Sequence, residues 1–311
     1  MIKHYSFFLV SFLFLSAMAI SQEIKQFGLE DFDLRGNVKT CQVITDYGQE
    51  IFEFDVLGRL VQVTTQYNDQ DKDVTSYKFD KDQLMEKRVE SFKDNELDLS
   101  SSMAYLYTID STETKTITEQ IISYDREFVE VQEYQYDDAN RLSKIITSHQ
   151  NAVDEIKIEY TAYKNETTKT YFENGIVQKS IRESAKNSKG TGSLKVVLTK
   201  NYVDGEPDKA IEQITDSRNL LISEKIFFHD LTKGEFVLQE KHSFEYDPKG
   251  VLVKEIIKKG NAIAEKDYIF QFDDNEEPNW VKKITTPENT FTTRRIDYYP
   301  KAVADLEIPK D

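Results

Sequence analysis

The chain has 311 residues with 56 acidic and 40 basic side chains, a formal net charge of −16. That balance repels phosphate backbones and argues against nucleic acid as a partner. Aromatic residues make up 12%, with 17 Tyr and 19 Phe. The core is therefore expected to be aromatic-rich, and disordered, collagenous, coiled-coil and disulfide-scaffold classes fall away.

The N-terminus reads as a signal peptide. Met1-Ile2-Lys3-His4 is basic, and an apolar run follows from Phe7 to Ile20, about 14 residues against the roughly 20 that a spanning helix needs. Ala19 and Ser21 are small residues placed for cleavage ahead of Gln22. Residues 1–21 are expected to be removed, and the chain to be exported to the periplasm or secreted. No Cys follows the cleavage point, so no lipid anchor is expected. Cys41, the single cysteine, has no disulfide partner and reads as a small buried strand residue. No later apolar run is long enough to span a membrane.

After a stretch that forms at most a short turn or helix (Glu23–Leu34), one pattern recurs: aromatic, any residue, aromatic, Asp, a short turn, then a return strand. It stands as Phe52-Glu53-Phe54-Asp55-Val56-Leu57-Gly58-Arg59-Leu60, as Tyr134 to Leu142, and as Phe244 to Leu252. Worn copies occur at Tyr77–Asp80, Tyr105–Tyr107 and Phe270–Asp273. Asp55 and Asp80 are 25 apart, Asp247 and Asp273 are 26 apart, and the 110 residues from Asp137 to Asp247 fit four such steps. A period of about 25–28 residues means one supersecondary unit that buries its apolar face against neighbours.

Each position has a physical reason. Two aromatics separated by one residue share a strand face. Asp55, Asp137 and Asp247 are placed to accept backbone N–H groups inside the turn. Gly58, Asn140 and Gly250 suit the left-handed residue that ends a type I turn with a bulge. The fold expected is all-β: one elongated antiparallel sheet of hairpin repeats over residues 22–300, curled or bent into a half-shell. Ser184–Ser193, polar and rich in Gly and Ser, is expected to be a long loop and the best place for an internal break. Residues 301–311 read as a tail.

The motif resembles the YD repeat of RHS-type bacterial surface and secreted proteins, and small exported proteins made of degenerate copies of it. Leu34-Arg35-Gly36-Asn37-Val38-Lys39 is similar to the opening segment of such small proteins. Asn279-Trp280-Val281-Lys282-Lys283 and Arg294-Arg295-Ile296-Asp297-Tyr298-Tyr299 are similar to their closing segment. The resemblance implies a repeated β-hairpin sheet; with no autoprotease or toxin segment present, it does not imply encapsulation.

Motifs for chemistry are sparse. His149, His229 and His242 are not at metal-ligand spacing, and no H-E-x-x-H, G-x-S-x-G or C-x-x-C occurs. Asp69, Asp71 and Asp73 alternate as in an EF-hand loop, but Val74 stands where Gly is required and Asp80 where Glu is required. A solvated hairpin tip is the better reading. No catalytic residue, cofactor or metal is expected. Two functions remain: an interaction or structural module for an envelope or extracellular protein, or a carbohydrate-binding module on exposed aromatic rings, with Trp280, Tyr298 and Tyr299 as its platform.

Overall fold

The computed structural model describes residues 24–45, 48–126, 129–149, 152–188 and 192–300. The signal peptide (1–21) and tail (301–311) lie outside the described residues. Among the described residues a single 3-10 turn, Leu29–Phe32, precedes twenty strands. The first ten are β1 (Val38–Thr45), β2 (Gly48–Phe54), β3 (Leu60–Gln66), β4 (Lys72–Asp80), β5 (Gln83–Lys93), β6 (Glu96–Asp110), β7 (Thr116–Ser123), β8 (Val129–Tyr136), β9 (Leu142–Ser148) and β10 (Val153–Tyr163). The rest are β11 (Glu166–Glu173), β12 (Ile176–Ser188), β13 (Gly192–Val203), β14 (Glu206–Thr215), β15 (Leu221–Asp230), β16 (Glu235–Tyr246), β17 (Leu252–Lys259), β18 (Ala262–Phe272), β19 (Trp280–Thr286) and β20 (Thr290–Tyr298).

Every strand pairs antiparallel with the next, and β20 pairs with β1 from Val38↔Tyr298 to Ile44↔Thr293. The sheet is therefore a closed barrel. This corrects the expected open half-shell, and the reason is edge chemistry. An open sheet would leave the outer N–H and C=O groups of β1 and β20 unpaired, and closure removes both edges. The expected break at Ser184–Ser193 is also corrected. Ser184↔Val196, Ala185↔Lys195, Lys186↔Leu194, Asn187↔Ser193 and Ser188↔Gly192 continue the β12–β13 ladder. Backbone pairing carries strand structure through the described residues of this run, 184–188 and 192–193, although its composition reads as loop.

The Asp corners form as the spacing predicts. Asp55 Oδ1 accepts the N–H groups of Leu57 and Arg59, Asp137 Oδ1 those of Ala139 and Arg141, and Asp247 Oδ1 those of Lys249 and Val251. Gly58, Asn140 and Gly250 have φ of 76°, 54° and 84°, and a bulge precedes each corner at Phe54, Tyr136 and Tyr246. Because hairpins alternate direction, these corners all lie at one mouth of the barrel, here called the Asp end.

The bulges keep the paired aromatics on one sheet face. Apart from Ala210, every buried apolar strand residue sits on that face, which is the inside: Phe52, Phe54, Tyr107, Tyr134, Ile145, Ile158 and Tyr171 among them. Buried clusters line β1–β3 and β5–β11. Along β14–β18 the inner apolar side chains are not buried, Phe228 being 45% exposed, while the inner Lys266 is buried. A ring of about eight strands is filled by its own side chains, whereas much wider rings are not.

Two outcomes follow. Asp55→Ala removes two backbone acceptor contacts and the Arg59 partner, and is expected to cost about 1–3 kcal/mol in urea unfolding, with Asp55→Asn costing less. The Arg141 guanidinium on Asp137 and the Thr232 hydroxyl on Asp230 hold both carboxyls below their ordinary value. Depressed folded-state values make this contribution complete above a pH of about 4 and lost as acid protonates the carboxylates. The thermal midpoint should therefore fall between about pH 4 and pH 2, and a profile flat through that window would contradict the assignment.

Candidate functional site

The Asp end is plugged by the segment that precedes β1. Leu60 N–H donates to Phe27 O and Leu29 N–H to Gly58 O, so this segment is laid along the first Asp corner. The following turn then drives Phe32 inward, its ring 4.7 Å from Phe52 and 5.5 Å from Phe54. Leu34 is buried behind it, and Ile24 reaches the second cluster. Asp33, at φ 52°, turns the chain back toward the wall.

The plug is tied to the last strands. Trp280 Nε1 donates to Asp33 Oδ2 at 2.9 Å, and the Arg294 guanidinium lies 3.5 Å from the centre of the Trp280 ring. Arg294 also donates to the Phe32 and Asp33 carbonyls. Asn279, 2% exposed, accepts from Arg35 N–H at 2.8 Å and donates to Arg35 O and Tyr298 Oη. Tyr298 donates to Asp273, while Tyr299 donates to Phe54 O and its backbone pairs with Asn37. The segments resembling opening and closing segments thus meet as the lock of the barrel seam.

This geometry corrects the expected ring platform. Trp280 is 8% exposed, with its N–H on Asp33 and one face under Arg294. Tyr298 and Tyr299 spend their hydroxyls on the seam. The three residues come together, but as a buried joint. The six corner residues Asp55, Gly58, Asp137, Asn140, Asp247 and Gly250 form three turns, which lie apart from one another around the rim. A further corner escaped the motif: Asp216 Oδ1 accepts the N–H groups of Arg218 and Leu220. Gln213 and Thr215 stand where the aromatics would be, and Asp216 lies 31 residues before Asp247, so neither motif nor period assigned it.

The inner wall carries polar networks as well as rings. The Glu119 carboxylate, 8% exposed, accepts from Tyr107 and Tyr134, each at 2.7 Å. Burial and the Glu119 charge push the Tyr107 phenol far up. On the opposite arc, His242 Nδ1 lies 2.6 Å from Glu255 and Nε2 lies 2.9 Å from Glu240, while Tyr268 donates to Glu255 at 2.7 Å. With both ring nitrogens facing carboxylates, neither is aimed at a nucleophile. His149 lies 3.1 Å from Glu130, and His229 stacks edge-on against Phe236. The Asp69–Asp73 run builds a turn: Asp71 accepts from Asn68 and from Asp94 N–H, and Asp73 accepts from Tyr67 and Ser91. Among the described residues no cluster of three His, Cys, Asp or Glu is arranged for a metal.

Cys41 is 1% exposed on the inner face of β1, and burial pushes its thiol up to about 11. A thiol reagent at pH 8 is expected to react only after unfolding; prompt reaction of the native protein would show the seam to be open. Asn279→Ala orphans the Arg35 N–H and is expected to cost about 2–4 kcal/mol in urea unfolding.

Comparison with known proteins gives little. No family model matches the chain, and no curated protein matches it. Among solved structures, it is similar to a porin-like protein from Bacteroides uniformis, with 9% identity, 84% of this chain and 98% of the other covered, and a TM-score of 0.29. A porin-like protein from Bacteroides vulgatus covers 85% and 98% at 9% identity, with a TM-score of 0.26. Scores this low carry no argument, and the closed barrel rests on this chain's own strand pairing.

Proposed function

We propose that the chain is an exported, non-catalytic module of YD-repeat type that works in water, binding or scaffolding an envelope or extracellular protein. One observation carries this reading: the outer wall is charged in the middle of its strands. Arg88, Lys157, Arg182, Lys225 and Lys241 stand on the face opposite the buried aromatics, as the pairing register requires. Acids on the same face match two of them, Lys225 with Glu212 at 2.7 Å and Lys157 with Glu159 at 2.7 Å, and also Lys254 with Glu265 at 2.9 Å. Lys or Arg facing lipid at the bilayer midplane costs about 2–4 kcal/mol each, and a lipid-facing barrel carries an apolar band there instead. Such a wall suits water on the outside.

His149 and His242, both set against carboxylates, and the buried thiol support a binding role over a catalytic one. The alternative, a carbohydrate-binding module, loses Trp280 as its first ring and is left with rings such as Phe228 and Phe272, which are 45% and 39% exposed on the inner wall. Purified from Gln22 onward without detergent, the protein is expected to be monodisperse, to stay off floating lipid vesicles and to give no bilayer conductance. A requirement for detergent, or flotation, would overturn the reading. Capture from native envelope, set beside a glycan panel, separates a protein partner from a sugar.

A further inference from the structure

We infer that a depression at the Asp end, between Arg35, Arg218 and Lys249, binds a compact organic oxyanion: one carboxylate or phosphate on a body about the size of a single sugar ring. The depression has a volume of about 230 Å³ and forms where the plug passes the corners at Asp216 and Asp247; Leu220, Pro248 and Gly250 supply the rest of its lining. Ligand pockets for drug-sized molecules run to roughly 300–1,000 Å³, so this one suits a smaller body. The inference stands whether the protein's main partner is a protein or a glycan.

Three basic residues line the depression in a chain of net charge −16. Among the described residues, the Arg35 guanidinium and the Lys249 ammonium have no ion-pair partner. Arg218 gives only its Nε to Asp216 Oδ2, at 3.0 Å, and remains 52% exposed, so its terminal amino groups are available. Two of the nearby acids are already engaged, and a third, Glu277, is not, among the described residues. Asp216 and Asp247 hold their own turns through backbone N–H groups, and Glu277 lies along Gly36, beside Arg35. The site is also set in advance. Arg35 is clamped at both N–H and C=O by Asn279, and Arg218 and Lys249 each donate their N–H into a rigid Asp corner. With the three backbones fixed before binding, only side-chain freedom is lost when an anion arrives, and the Leu220 and Pro248 side chains offer an apolar floor to its body.

The test is calorimetric titration of the full exported chain with glucuronate, glucose 6-phosphate, glucose and inorganic phosphate. Glucuronate or glucose 6-phosphate is expected to bind at least tenfold more tightly than glucose, and to weaken in about 0.5 M NaCl as charge is screened. Which of the two binds tells carboxylate from phosphate. The double variant Arg35→Ala/Lys249→Ala should lose at least tenfold in affinity with an unchanged melting temperature, whereas Lys233→Ala, at the opposite rim, should bind as the native protein does. Absence of binding by both organic anions, or binding that survives the double variant, would overturn the site. Inorganic phosphate binding as tightly as both organic anions would overturn the ring-sized body.

Discussion

The barrel depends on a carboxylate answering backbone N–H groups inside a turn. At Asp55, Asp137, Asp216 and Asp247 one oxygen accepts two N–H groups, two and four residues on. Holding both fixes the turn length, and the fixed length forces the bulge before it. The bulge in turn sets which side chains face inward. Move the acid by one residue and the alternation downstream reverses, sending rings to water and charges to the interior. Local hydrogen bonding at the corners thus governs the composition of both walls.

A second constraint acts once per molecule. Nineteen neighbour pairings follow chain order, and only β1 with β20 joins distant segments. Backbone pairing there is reinforced by side chains that the rest of the wall does not need: Asn279 on Arg35, Trp280 on Asp33, and Arg294 stacked on the Trp280 ring while donating to the plug. A cation over Trp is worth more when it is shielded from water, and Arg294 is held down by burial here. The plug contributes twice, filling the aromatic end of a ring too wide to fill itself and giving the last strands something to grip.

Much of the wall was legible in the sequence, because period-two aromatics and turn chemistry are both local signals. Asp55, Gly58, Asn140 and Gly250 could be assigned roles without any tertiary knowledge, whereas the degenerate corner at Asp216, lacking its aromatics, could not. Closure was not legible, since nothing within any one repeat reports that strand twenty will meet strand one. Ser184–Ser193 misled because composition describes side chains, while the pairing of its described residues is made by the backbone. Trp280 misled for a related reason: a lone Trp near two Tyr fits an exposed platform or a buried joint equally well until Asp33 and Arg294 are placed around it. The rim depression was invisible because Arg35, Arg218 and Lys249 come from three separate turns.

The seam also dictates the order of assembly. Each hairpin closes a loop of a few residues, but bringing β20 to β1 closes one of some 250 residues. The loop-closure term grows as about (3/2)RT ln n, so that step costs about 3–4 kcal/mol more in chain entropy than a hairpin of five residues. The wall should therefore zip up sequentially from any nucleus, with ring formation as the late, slow event. Until that event two bare strand margins are open to a neighbouring chain, so crowding of half-formed molecules, rather than weakness of the finished ring, is where this architecture is most vulnerable.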